Sequence, residues 1–476
     1  MTVAISGIGL ATAQGSSVQI LKSSEPHSPV ELPWPPGKWN VSRICYPAAS
    51  VSSALFGAKR WRALVKLALD DLGPFTSGTP LFVGSCNGDA SQRWEQAFDT
   101  SRLLEGTPWA NECLPVFSSS CASGIHALYA AKQLIAAGAI DEALVLAVDI
   151  VSESNHENFE SLRVLAERPS APWQSSSRGF ILGEAAVVLK LARTKDGNQL
   201  NGPELASDLI EHDGLASVIE AISPQATSLV IGQGTGPYQT DGAELLAVAA
   251  YVDKDVPIAT PLSHFGHTLG ASGLLSIALG ALSRRSGISS LGGAGRKAID
   301  GRPLVGTGGH GGPPLQKILS TCRALNGACA ATMVGDSSPA KEQRRKGSWR
   351  RSVTPGPLMP PLMNVTLRRI AGEAVKHRPS EPPDVLVLRM EKPLSPPQSA
   401  IIGGRILPSA VLEITPGFAS QLLASCWGFS GPALCLVGDV DTGVYGLKNA
   451  FEESGLDVYQ VNLRGSGDNR VVEWNV

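Results

Sequence analysis

Apolar and polar positions alternate with two periods along the first 335 residues of the chain. Short apolar runs at Val3–Ser6, Leu81–Gly84, Glu142–Val148, Ala185–Leu191 and Ser228–Ile231 read as strands. Stretches with apolar residues three and four apart, Arg60–Leu72, Gly124–Ala137 and Gly242–Tyr251, read as helices. The alternation predicts an α/β unit with layered sheets. Residues 284–318 are rich in Gly and Pro and read as loop, and residues 336–360 read as a basic Pro/Gly linker. Its run from Lys341 to Arg351 reads as a solvated connector, with a dock for an acidic partner as the other reading. From 361 to 476 the pattern returns to α/β.

A weak internal echo links the two parts. Leu434–Leu447 can be laid on Pro115–Leu128, so that Gly443 falls on Gly124 and Leu447 on Leu128. A helix, an acidic residue and an apolar strand follow in both copies. Val440 falls opposite Cys121, so the second copy carries no thiol at that place.

Composition narrows the function classes. The 476 residues are 43 % hydrophobic and 17 % charged, with a formal net charge of −2, which argues against a nucleic-acid binder. Eight cysteines without a CxxC pair show neither a disulfide framework nor a zinc site, and a reducing compartment, the cytoplasm, is expected. The opening MTVAISGIGLATAQG has no basic region ahead of an apolar one and reads as a first strand and loop. No run of about 20 apolar residues exists, so no membrane span is expected.

The chemistry centres on Cys121 in SSSCASGIHALYAAKQL, where an apolar stretch gives way to small residues and then to a helical pattern. A thiol on such an elbow lies beside the free N–H groups and positive end of the helix. That setting is expected to lower its pKa and to hold the oxyanion of an attacked thioester. The bland alternative is a small buried hydrophobe.

Three strings follow the cysteine: SSRGFILGEAAVVLKL (176–191), GQGTGPYQTDGAEL (232–245) and SHFGHTLGASGLLSIALGAL (263–282). Together with SSSCASG, in this order and spacing, they resemble the β-ketoacyl-acyl-carrier-protein synthases over residues 1 to about 335. The resemblance implies a thiolase-like α/β fold, with two ββαβαβ halves stacked as a layered αβαβα unit. It also implies a cysteine that takes an acyl group from an acyl carrier protein. Two histidines then polarise the carbonyl of a malonyl extender as it loses CO2. The appendage at 361–476 reads as a degenerate half-domain of the same kind.

The carry-over of residues is mixed. Cys121 matches the nucleophile, Gly124 the glycine that lets the helix pack closely, and His267 the second histidine. Gln233 stands where the first histidine is expected, with Asp241 and Glu244 in register behind it, and Leu262 replaces a lysine that lies near the matching carboxylate. Thr235 matches a threonine that touches the pantetheine arm, and Asn326 falls at the phenylalanine that gates the pocket. Glutamine can donate through its NH2 but cannot act as a general base, so weakened decarboxylation is expected, with acyl transfer less affected.

The leading expectation is thus acyl transfer through a cysteine thioester in fatty-acid or polyketide-type biosynthesis. Cys121 is the nucleophile, His267 the base or carbonyl donor, and Gln233 the second donor. No metal or organic cofactor is implied beyond phosphopantetheine-borne substrates. An acyl carrier protein is the expected partner, with a homodimer or a heterodimer with another ketosynthase. Two alternatives stand beside it: an acyltransferase to an alcohol or amine without condensation, and a non-catalytic chain-length-factor-like partner of an active synthase. His126 and Cys86 read as packing residues, and His310 as loop.

Overall fold

The computed structural model describes residues 2–474 except 23–27, 32–43, 90–95, 169–171, 196, 209–212, 237, 287–296, 306–314, 337–347, 349–363, 395–400, 403–404, 407–414, 439–444 and 466–469. His310, Val440, Gly443 and nearly all of the linker read at 336–360 lie outside the described residues.

The first half contains β1 (Thr2–Ala11), α1 (Gly57–Leu72), β2 (Leu81–Gly84), β3 (Val116–Phe117), α2 (Ser123–Ala137), β4 (Glu142–Asp149) and β5 (Ala185–Thr194). The second contains β6 (Asn198–Ser207), α3 (Gly214–Ile222), β7 (Leu229–Ile231), α4 (Tyr238–Ala249), β8 (Ile258–Ala259), α5 (Ser272–Ser286), β9 (Lys317–Arg323) and β10 (Ala328–Gly335). In space the strands run β3-β2-β4-β5-β1 in the first half and β8-β7-β9-β10-β6 in the second. Both halves have three parallel strands followed by two antiparallel ones. A short pairing of Ala4 with Gln199 and Ile5 with Asn198 joins them.

Burial explains the layers. Helix α1 buries Trp61, Leu64, Val65 and Ala68, a single helical stripe, against the outer face of β1, β5 and β4. Helix α2 is apolar all round and buried along nearly its whole length, because it lies between the sheets beside α5. Helix α3 covers the far face, on β6 and β10. The order is therefore helix, sheet, helices, sheet, helix, as the sequence motifs imply. Strand β4 is buried on both sides and so reads as an unbroken apolar run. Strand β6 escaped the sequence reading because Asn198, Asn201, Gly202 and Pro203 interrupt it. Their polar groups are met locally, with the Asn198 amide donating to the Ala281 carbonyl and that of Asn201 to the Ile222 carbonyl.

Residues beyond 364 continue the same sheet. Here α6 (Val365–Ala374), β11 (Val385–Met390), α7 (Pro416–Trp427), β12 (Ala433–Val437), α8 (Tyr445–Glu453), β13 (Val458–Arg464) and β14 (Val471–Trp474) follow in order. The strands lie β12-β11-β13-β14, and β12 pairs antiparallel with β3, so fourteen described strands form one sheet.

Candidate active site

Cys121 sits four residues past the end of β3 and two before the start of α2. The preceding Ser120 has φ +52, a left-handed conformation that costs a non-glycine residue on the order of 1–3 kcal/mol. The surroundings impose it: the Ser123 hydroxyl accepts from the Ser119 N–H at 2.9 Å and donates to the Ser120 carbonyl at 2.6 Å. Two glycines let the elbow seat. A Cβ on Gly84 would meet the Ser123 carbonyl at 2.7 Å, and one on Gly124 would meet the Ala147 Cβ at 2.6 Å.

His267 is brought to the thiol by a strand-like crossing of residues 181–183, with its N–H on the Ile181 carbonyl and its carbonyl on the Gly183 N–H. Its Nε2 lies 3.3 Å from the Cys121 Sγ. Its Nδ1 accepts the Leu269 main-chain N–H at 3.0 Å. An Nδ1 that accepts cannot carry a proton, so the neutral ring holds its proton on Nε2 and points it at the sulfur. Burial pushes the His267 pKa down to about 4, which keeps the ring neutral. The Phe180 ring packs on the imidazole, with centroids 4.5 Å apart.

The thiol itself departs from the expectation of a lowered pKa. Burial pushes Cys121 up to about 11, and hydrogen bonds from the Ser120 hydroxyl and the Leu325 main chain only partly offset it. The expected source of help is also spent elsewhere. The N–H groups of Ala122 and Ser123 at the helix mouth are taken by the carbonyls of Ser119 and Ser120. The main-chain N–H groups of Cys121 itself and of Leu325 also act to lower the thiol's pKa, against the larger effect of burial. Leu325 gives no side-chain signal in the sequence, because its contribution is an N–H supplied by the turn between β9 and β10.

Gln233 is 8 % exposed; its Oε1 accepts the Arg323 N–H at 3.0 Å, while its Nε2 has no hydrogen-bond partner among the described residues. A buried amide fixed by its oxygen with its NH2 unspent is a donor held for something absent from the protein. Its loop is fixed by Glu244. That buried carboxylate accepts from the Gln233 N–H (2.8 Å), the Gly234 N–H (2.9 Å), the Trp173 indole (3.0 Å) and the Thr321 hydroxyl (2.9 Å). These four donors occupy the carboxylate whose expected lysine is replaced by the buried Leu262. Asp241 accepts the Trp173 and Gly236 N–H groups, and burial raises its pKa to about 7. Thr235 follows on the same loop and is half-buried.

Asn326 does not stand at an open gate. It is fully buried, its Nδ2 donates to the Ser119 hydroxyl at 3.4 Å and its Oδ1 accepts the Ala328 N–H at 3.3 Å. It braces the elbow and the turn, because the turn directs Leu325, 38 % exposed, outward in its place. Asp149 was not singled out in the sequence. Its buried carboxylate accepts from the N–H groups of Cys86 (2.8 Å), Asn87 (3.1 Å) and Gly270 (2.8 Å) and from the Ser85 hydroxyl (2.9 Å). It thereby ties the end of β2 to the turn that carries His267. A charged residue ending the apolar run of β4 was its sequence signal. Cys86 and His126 are packing residues as expected, the thiol raised well above its ordinary pKa by burial and the imidazole lowered to about 3.

Comparison with known proteins bears on this arrangement. Residues 115–197 match the β-ketoacyl synthase N-terminal domain and residues 185–288 its C-terminal domain. A putative polyketide β-ketoacyl synthase of Streptomyces virginiae is 28 % identical over 196 residues, 35 % of this chain and 47 % of the relative. The ketoacyl synthase alpha subunit of the tetracenomycin polyketide synthase of Streptomyces glaucescens is 27 % identical over 231 residues, 41 % of this chain and 54 % of the relative. The matched stretch thus spans about half of these relatives, and 8 % of an iterative polyketide synthase of Emericella nidulans. Among solved structures, a Xenorhabdus doucetiae ketosynthase bound to its chain length factor superposes with TM-score 0.56 at 20 % identity, covering 71 % of this chain and 98 % of that one. A protein described as the PfaC keto synthase-chain length factor superposes with TM-score 0.70 at 13 % identity, covering 98 % of this chain and 74 % of that one. At these identities the structures establish the thiolase-like fold.

Proposed function

We propose that the chain acts as a divergent member of the β-ketoacyl synthase family, whose models match residues 115–288, and that it transfers acyl groups from a carrier-borne phosphopantetheine thioester onto Cys121. The observation that carries the proposal is the Cys121–His267 contact, 3.3 Å from Sγ to an Nε2 whose proton is directed at the sulfur. In the first step Sγ attacks the thioester carbonyl. The carbonyl oxygen becomes an oxyanion held by the N–H groups of Cys121 and Leu325, and the pantetheine sulfur leaves, taking up the proton that Cys121 loses. His267 does not take that proton, because its Nε2 already bears one. It steadies the developing thiolate and then the carbonyl of the next substrate.

The second step is decarboxylative condensation with a malonyl thioester. The bond to the carboxylate breaks and CO2 leaves. The freed electron pair rests on a carbonyl oxygen held by His267 Nε2–H and by the unspent NH2 of Gln233. The carbanion then attacks the acyl carbonyl, and Cys121 departs as thiolate. Neither donor carries a charge, so stabilisation of the enolate is weaker than with a cation, and the condensing step is the slow one. Thr235, half-buried on the Gln233 loop, is assigned to the pantetheine arm. An acyl carrier protein is the partner that the chemistry requires. The eight described cysteines, all free, suit a reducing compartment such as the cytoplasm. Among the described residues no helix is long and apolar enough to cross a membrane.

A second reading, transfer to an alcohol or amine without loss of CO2, is favoured by the same glutamine, because that route needs no enolate donor. Mixing pre-acylated protein with a malonyl carrier thioester separates the two. Release of one CO2 per acyl group, with a β-ketoacyl product, is expected. Loss of the acyl group only to an added alcohol or amine would establish the second reading instead.

A further inference from the structure

The echo between Leu434–Leu447 and Pro115–Leu128 puts Leu436 on Phe117, Val437 on Ser118 and Cys435 on Val116. Strands β3 and β12 pair with Leu436 opposite Phe117 and Val437 opposite Val116, and the Ser118 N–H donates to the Cys435 carbonyl at 3.0 Å. Each residue therefore faces its own counterpart, or the counterpart of the residue on the other side. That is the register of a two-fold axis, here inside one chain.

The repeat extends outward from the axis. The order β12-β11-β13-β14 matches β3-β2-β4-β5, with parallel and antiparallel steps in the same places. Following the ladders residue by residue, Gly84 pairs with Phe117 and Arg389 with Leu436, so Arg389 stands for Gly84. Gly84 pairs with Ala147 and Arg389 with Asn462, so Arg464 stands for Asp149.

Both replacements remove what an elbow needs. Gly84 admits the start of α2 only because it has no Cβ. Asp149 gathers three N–H groups around the site, whereas Arg464 is an ion-pair partner of Glu473 at 2.8 Å. The second copy has kept the sheet edge and lost the catalytic scaffold.

It also reaches the working site. Gly417, in the first turn of α7, lies so close that a Cβ there would meet the Ser119 Cα at 2.5 Å, the Ser118 carbonyl at 2.6 Å and the Asn326 Nδ2 at 2.8 Å. The elbow that holds Cys121 is thus backed by the C-terminal copy. The two cores are also continuous, with Phe117 and Cys121 clustering with Val385, Leu434 and Leu436.

We propose that residues 365–474 are a built-in partner subunit: they fill the β3 edge and back the nucleophile elbow in place of a second copy. The β3 edge is then filled from within the chain and closed to homodimers and to another ketosynthase. This holds whether or not Cys121 condenses, and its test reads no activity.

Paired Cα atoms in an antiparallel ladder lie about 4.5–5.5 Å apart, within the about 4.4–6.8 Å that a disulfide spans. The full chain carrying Val116→Cys and Val437→Cys, with Cys113→Ser to silence the exposed thiol, is oxidised and run without reductant. A disulfide between the two introduced cysteines within one chain is expected. Bridging between two chains, or no bridge in the folded protein, overturns the proposal. Sedimentation of the unmodified chain gives a second reading. One copy, 49.7 kDa, is expected, and a particle of twice that mass overturns it.

Discussion

The Leu269 main-chain N–H donates to His267 Nδ1 at 3.0 Å and so decides which nitrogen carries the proton 3.3 Å from Cys121. A histidine fixed in this way is a hydrogen-bond donor at all working pH values, since burial holds its pKa near 4. The rate of Cys121 acylation is therefore expected to show no histidine limb near pH 6.5. His267→Ala should slow acylation by about 10²–10³-fold. A bell-shaped profile with an acid limb near 6.5 would show the ring acting as a base.

The thiol pushed up to about 11 has its own signature. At pH 8 the thiolate is about one molecule in a thousand by the definition of a pKa. Alkylation of Cys121 by iodoacetamide, followed by peptide mass, should rise about tenfold per pH unit from 7 to 10 without a plateau. The exposed Cys113 provides the accessible comparison in the same digest. A plateau below pH 8 would reveal a stabilised thiolate.

Gln233 separates the two half-reactions. Gln233→Glu keeps the oxygen that accepts the Arg323 N–H and deletes the unspent NH2. CO2 release from a malonyl thioester should fall by about 10²-fold, while acyl loading changes by no more than a few-fold. An equal loss in both steps would place the amide in acylation.

Asp149 is expected to carry stability as well as geometry. Asp149→Ala orphans three N–H groups in a fully buried place, each at about 1–3 kcal/mol. The urea midpoint should therefore report a loss of about 3 kcal/mol or more. A loss under about 1 kcal/mol would mean that water or a shifted loop replaces the carboxylate.

The chemistry was legible where it depends on residue type at a fixed spacing: the cysteine after a short strand, the histidine before a glycine-rich helix start, and the glutamine ahead of Gly234. The layered α/β arrangement was legible from the runs of β2, β4 and β5. What did not show is what folding adds from a distance. The raised thiol comes from burial contributed by the whole chain. The help that Leu325 gives the thiol comes from a main-chain group. The spacing puts Asn326 at the gate, yet its side chain is held in the elbow by bonds to the Ser119 hydroxyl and the Ala328 N–H, partners that residue type at that position does not announce. The echo at Leu434–Leu447 pointed to a related second half, but nothing in it announced that β12 pairs with β3.

Intact-protein mass after incubation with an acyl-carrier thioester is the most direct measurement, run on the unmodified chain and on Cys121→Ala. A gain of one acyl group that is absent in Cys121→Ala is the predicted result. No gain across short, medium and long acyl chains, with the protein folded, would contradict a working nucleophile at Cys121.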